Sequence, residues 1–161
     1  MNEVIRVGMA DYKICRAPQK ITTLGLGSCL GVVLYDKEAG LCGLAHVMLP
    51  DSTKAISCDN RARYADTCLQ DMYDEMIASR ANPKKLVAKI AGGASMFSHH
   101  QESDILNVGE QNIIASKQKL SELNIPILAE DTGGMKGRTI TFSPQTGELF
   151  IQALGTGNYV I

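Results

Sequence analysis

One stretch limits what this chain can fold into more than any other. Residues 22–50 read T-T-L-G-L-G-S-C-L-G-V-V-L-Y-D-K-E-A-G-L-C-G-L-A-H-V-M-L-P. Residues 30–35 are apolar and rich in β-branched side chains, the pattern of a strand. Asp36-Lys37-Glu38-Ala39-Gly40 is a polar break that ends in glycine, which suits a turn. Residues 41–49 are apolar again, and Pro50, which cannot donate to a ladder, stops them. The stretch therefore reads as a β-hairpin.

Folding one arm onto the other brings Cys29 and His46 into one neighbourhood. With the turn centred between Lys37 and Glu38, Cys29 faces His46. With the turn centred between Glu38 and Ala39, Cys29 faces Met48 and His46 lies on the diagonal. Either register puts thiol and imidazole on the same face, because side chains alternate with period two. A register halfway between would separate them. A thiol beside an imidazole can pass its proton to the ring and react as thiolate. Gly25, Gly27 and Gly31 keep the backbone open around the sulfur. They also let N–H groups, that of Cys29 and a neighbour from the Gly27-Ser28 turn, point at a developing oxyanion. Nucleophile, base and oxyanion site together point to acyl transfer or amide hydrolysis. A structural reading stands beside this one: a cysteine in an apolar strand packs as a small hydrophobe, and a histidine in A-H-V-M-L can be a hydrogen-bonded core residue. Spacing alone leaves both open.

The blocks T-L-G-L-G-S-C, A-H-V-M-L-P-D-S, R-Y-A-D-T, A-K-I-A-G-G-A-S-M-F, N-V-G and A-E-D-T-G-G, in that order, resemble CheD, the chemoreceptor glutamine deamidases. They run from about Val7 to Gly147, nearly the whole chain. The resemblance implies a protein-glutamine glutaminase that converts receptor glutamine side chains to glutamate through a thioester. It puts the family's nucleophile on Cys29 and its histidine on His46. It puts a third residue, a threonine six before the cysteine, on Thr23, which would hold the ring through a hydroxyl hydrogen bond. The same chemistry accepts a glutamyl methyl ester. The resemblance further implies two partners: the cytoplasmic helices of chemoreceptors as substrate, and CheC, a phosphatase acting on the phosphorylated response regulator CheY. It associates the segment carrying Met96 and Phe97 with the CheC contact. The rival reading is a non-catalytic docking module that regulates the phosphatase in chemotaxis adaptation.

Composition narrows the partners from another side. The formal net charge is −1 and 20% of residues are charged, which argues against a nucleic-acid or polybasic membrane binder. Tryptophan is absent, so aromatic base stacking is disfavoured. No apolar run approaches a bilayer span, so membrane insertion is not expected. Met1-Asn2-Glu3-Val4 opens into a strand pattern rather than a secretory signal. The five cysteines, at 15, 29, 42, 58 and 68, form no C-x-x-C pair, so neither a zinc site nor a redox motif is expected. Reduced thiols and a cytoplasmic location follow. Cys58, in the polar stretch 51–63, reads as a bystander, and Cys68 as a packing residue.

The rest of the chain supplies strands and two helices. Gly25-Leu26-Gly27 is not a dinucleotide fingerprint: the glycines run G-x-G-x-x-x-G and a strand, not a helix, follows. Residues 64–80 carry apolar or small side chains at 65, 68, 69, 72, 73, 76 and 77, one face of a helix that Asn82-Pro83 ends. Residues 110–123 form a second helix with Asn107 as its cap and Ile113, Ile114, Lys117, Leu120 and Leu123 on one face. His99 and His100 are adjacent, point in different directions and read as loop residues rather than metal ligands. Glu130-Asp131-Thr132-Gly133-Gly134 reads as a polar turn, with Asp131 and Thr132 as candidates for substrate contact. Residues 138–142 and 148–154 flank Pro144-Gln145-Thr146-Gly147 as a hairpin, and residues 155–161 read as a weak tail. About eight strands and two helices in mixed order predict an α+β fold: one domain over 1–161, a layered sandwich of two β-sheets with helices packed on one face. No cofactor is expected.

Overall fold

The computed structural model describes residues 3–57, 59–95 and 107–161. Among them the strands are β1 (Val4–Val7), β2 (Asp11–Arg16), β3 (Lys20–Leu26), β4 (Leu30–Asp36), β5 (Leu41–Val47), β6 (Val87–Gly92), β7 (Ile127–Thr132), β8 (Arg138–Ser143), β9 (Glu148–Ala153) and β10 (Gly157–Val160). The helices are α1 (Ala65–Ala78) and α2 (Val108–Glu122). The strands build two five-stranded sheets, ordered β1-β3-β8-β9-β10 and β2-β5-β4-β6-β7.

The predicted hairpin forms the middle of the second sheet. Every residue of β4 and β5 is buried, because this sheet is covered on both faces, and that is why the sequence there is continuously apolar rather than alternating. Period two still sorts the side chains. Leu30, Val32 and Leu34 of β4 join Ala65, Leu69, Met72 and Met76 of α1 and Leu120 of α2 in one core. Val33 and Tyr35, facing the other way, join Ile21, Ile140 and Phe142 of the first sheet in a second core. The layers are therefore sheet, sheet and helices, with both helices on one face, as the strand and helix content predicted.

Three segments differ from the sequence reading. Residues 130–132 are not a turn but the end of β7, which pairs in parallel with β6 through Ile90↔Glu130, Ala91↔Asp131 and Gly92↔Thr132. Tertiary partners make extended backbone acceptable for these polar residues. Glu130 pairs with Lys117 Nζ at 3.0 Å, and Asp131 accepts from Arg138 Nε at 3.0 Å and from the Tyr159 hydroxyl. Burial alone would raise the Asp131 pKa, but the Tyr159 and Arg138 donors outweigh it and hold the carboxyl below its usual range. Asp131 thus joins a cluster with Arg138 and Tyr159 through its Oδ2.

The second difference is the tail, whose residues 157–160 form edge strand β10, antiparallel to β9 with Asn158↔Gln152 and Tyr159↔Ile151. Gly-Asn-Tyr-Val is too short and polar to announce itself, and the Tyr159–Asp131 bond anchors it. The third is Asn107, which occupies the cap position of α2 without a side-chain capping bond. Its amide donates to the Glu110 carboxylate instead. Cys68 is fully buried, as its packing role required.

Candidate functional site

The site lies where the two sheets meet at one end of the hairpin. Thr23 comes from β3 in the first sheet and His46 from β5 in the second; both are buried, at 0% and 1% exposed. Thr23 Oγ1 lies 2.7 Å from His46 Nδ1 and donates to the Val7 carbonyl at 2.8 Å. Val7 is placed for this by register, since β1 runs parallel to β3 with Val7↔Thr23 as partners.

These two contacts set the tautomer of the ring. A hydroxyl has one proton, and a carbonyl can only accept. The Thr23 proton therefore goes to Val7, and the 2.7 Å contact with the ring must be Nδ1–H donating to Oγ1. That leaves Nε2 as the nitrogen with the free lone pair, and Nε2 has no hydrogen-bond partner among the described residues. Burial holds the His46 pKa below its ordinary 6.5, which favours the neutral ring.

The hairpin adopts the second of the two registers. Leu30 pairs with Val47 and Gly31 with His46, so the turn is centred between Glu38 and Ala39. Cys29, one residue before β4, continues that register opposite Met48, with His46 on the diagonal and on the same face. It is partly buried and packs against the core between the sheets. No hydrogen bond joins its sulfur to His46 among the described residues, and burial raises the thiol above its ordinary 9.0. Burial disfavours the charged form of both the thiol and the ring.

The loop that carries Cys29 is held by its carbonyls. Ala94 N–H donates to Gly27 O at 2.8 Å, Asn112 Nδ2 to Ser28 O at 2.9 Å, and Gly93 N–H to Cys29 O at 2.9 Å. The N–H groups of Ser28 and Cys29 have no backbone acceptor among the described residues. They are the groups the sequence reading assigned to an oxyanion site, together with the Gly27 turn.

Gly92 makes this bracing possible. Its φ is +112°, and a Cβ there would sit 2.5 Å from the Cys29 carbonyl oxygen. Gly92→Ala is expected to lose about 1–3 kcal/mol from the disfavoured backbone alone, more with the clash, and thermal melting measures it. A Tm within error of the wild type would show that the loop yields freely.

Two participants escaped the sequence reading. Val7 acts through its backbone, which no side-chain motif reveals. The apolar residues of α2 predict a different inner face, which hides Asn112. The helix in fact buries Gly109, Asn112, Ser116 and Leu120, while Ile114 is 58% exposed. The usable signal was the small and polar spacing itself, Gly109-x-x-Asn112-x-x-x-Ser116, on one side of the helix. Met96, Phe97, His99, His100 and Cys58 lie outside the described residues. Among those described, no three His, Cys, Asp or Glu side chains converge as a metal site would require.

Known proteins share this chain's pattern over nearly all its length. The family profile described as "CheD chemotactic sensory transduction" matches residues 48–153. The chain is 49% identical to the Chemoreceptor glutamine deamidase CheD of Bacillus subtilis (strain 168), over 98% of this chain and 96% of that protein. It is 50% identical to the Probable chemoreceptor glutamine deamidase CheD of Caldanaerobacter subterraneus, over 97% and 96%. Among solved structures, a Neisseria meningitidis protein of the DUF152 family superposes with a TM-score of 0.52 at 10% identity, covering 83% of this chain and 65% of that one. That likeness concerns the fold alone. With a family profile over most of the chain and relatives at about half identity over almost all of it, this chain belongs to the CheD family.

Proposed function

We propose that the protein deamidates glutamine side chains of chemoreceptors, with Cys29 as nucleophile, His46 as base and Thr23 as the residue that orients the ring. The names of the relatives support the substrate class. The observation that carries the residue assignment is the Thr23–His46 bond, which leaves Nε2 unprotonated on the face that also bears Cys29.

The chemistry balances with these groups alone. When the amide enters, His46 Nε2 takes the thiol proton and the sulfur attacks the carbonyl carbon. The N–H groups of Cys29 and Ser28 stabilise the oxyanion. The tetrahedral species collapses as imidazolium returns the proton to the amide nitrogen, and ammonia leaves a thioester. His46 then takes a proton from water, the hydroxide attacks, and the sulfur departs with the proton while glutamate is released. The missing sulfur–ring hydrogen bond in the free protein is compatible with this, since such bonds commonly tighten only when substrate is bound. Neutral groups at rest also spare the interior an unpaired charge.

The same steps accept a glutamyl methyl ester, with methanol leaving, because the residues recognise the carbonyl rather than the leaving group. The resemblance adds a CheC-type phosphatase as a partner that docks through the segment carrying Met96 and Phe97. No helix among the described residues is long and apolar enough to cross a membrane.

Thr23→Val tests the orienting role. The ring loses the acceptor for Nδ1–H, and deamidation of a receptor fragment is expected to fall about tenfold or more, as a misaligned base costs. Thr23→Ser, which keeps the hydroxyl, should restore most of it. Equal rates for the valine and serine variants would remove Thr23 from the mechanism.

A further inference from the structure

We infer that Asn112 is a positioning residue that sets the distance between the thiol and the imidazole, an inference that rests on the Cys29–His46 reading above. Its side chain is fully buried, and its one amide nitrogen donates to Ser28 O at 2.9 Å and Met48 O at 3.0 Å. The first acceptor is the residue before Cys29, and the second lies two beyond His46.

What makes this contact more than packing is where the hairpin ladder ends. The β4–β5 pairing stops at Leu30↔Val47. Beyond it the backbone carries no rung between the Cys29 arm and the Met48 arm. Asn112 supplies the bridge from outside, spending both amide hydrogens on the two arms. Its oxygen, by contrast, has no partner among the described residues. A planar NH₂ group bonded to two fixed carbonyls leaves little freedom in the width of the hairpin mouth.

The donor is itself held firmly. Gly109, in the first turn of α2, lies so close that a Cβ there would come within 2.3 Å of the Ala94 carbonyl oxygen. Ala94 in turn donates to Gly27 O at 2.8 Å. The helix, the segment after β6 and the nucleophile loop therefore brace one another. Removing the amide leaves two carbonyls without that donor and lets the Cys29 arm drift from the His46 strand.

The test follows deamidation of a purified chemoreceptor cytoplasmic fragment by ammonia release, with the whole chain as enzyme. Asn112→Ala is expected to lower kcat about 10- to 100-fold while KM stays within about twofold, since a displacement on the order of 1 Å costs that much when reacting groups must align. Ser116→Ala is the matched control. Ser116 is also buried on α2, and its Oγ has no partner among the described residues. Its removal should leave kcat unchanged. Should Asn112→Ala not fold, Asn112→Asp keeps the volume. An ionised carboxylate donates nothing to the two carbonyls, whereas the protonated acid donates once. The ratio of its kcat to that of the wild type should therefore fall with rising pH, by about tenfold across the titration of the carboxyl. A kcat for Asn112→Ala within about twofold of wild type, or a flat Asp-to-wild-type ratio, overturns the inference. Cys29→Ala run in parallel separates the two failures. If it still deamidates, the catalytic pair itself is wrong; if it is inactive while Asn112→Ala is normal, only the positioning role falls.

Discussion

Cys29→Ala is expected to abolish deamidation of a receptor fragment, with a loss of about 10⁴-fold or more, while the melting temperature stays near that of the wild type. The size follows from losing the covalent route altogether, which leaves only binding and oxyanion contacts to accelerate attack by water. The stability expectation follows from geometry. The sulfur is only partly buried and takes no hydrogen bond among the described residues, so its removal leaves neither an orphaned donor nor a large cavity. Ammonia release and thermal melting on one preparation check both halves. Turnover equal to the wild type would refute the nucleophile. The loop that presents Cys29 is held through carbonyls of 27, 28 and 29, not through the sulfur, so the variant keeps the site's shape for binding measurements.

His46→Ala should cost about 10²- to 10⁴-fold in kcat, the range for a positioned general base, and it carries a pH consequence that Cys29→Ala does not. Burial lowers the His46 pKa from 6.5 and raises the Cys29 pKa from 9.0. Between those limits the proposed mechanism works from thiol plus neutral imidazole. The kcat/KM profile of the wild type is therefore expected to be flat through neutrality, with its acid limb below pH 6.5. Iodoacetamide labelling of Cys29 in the free protein should be slow at neutral pH and accelerate only above the ordinary thiol range. Fast labelling at pH 7, lost in His46→Ala, would show an ion pair at rest and overturn the neutral assignment. Stability obeys the same linkage. Between the lowered folded pKa and 6.5, the unfolded chain binds a proton that the folded chain does not, so stability falls as pH drops through that window. Replacing His46 removes that term and should flatten the acid side of the melting profile.

Much of this site could be read before any fold was known. The hairpin and its polar turn follow from where residues 36–40 and Pro50 interrupt an apolar run, and period two gives Cys29 and His46 a common face in two registers, of which the fold adopts one. The two helices and the layered sheets came from the same kind of pattern. Residues 130–132 could not be read this way. Their polar side chains resemble a turn until Arg138, Tyr159 and Lys117 arrive from elsewhere to satisfy them. The tail was misread for a related reason, because a four-residue edge strand carries too little pattern to distinguish it from coil.

By itself the amino-acid order marked Cys29 and His46 as candidates and set them on the two arms of one hairpin, since apolar runs and turn residues are local signals, but it left the register that decides their common face open. Only the tertiary structure decided how that chemistry is prepared. The register was settled there, and the burial of thiol and ring, the Val7 carbonyl that accepts from Thr23 and the Asn112 amide that bridges the open end of the ladder all depend on segments outside the hairpin. Hydrogen bonds between distant backbone groups leave no local periodicity to read, and so the precision of the site belongs to the fold.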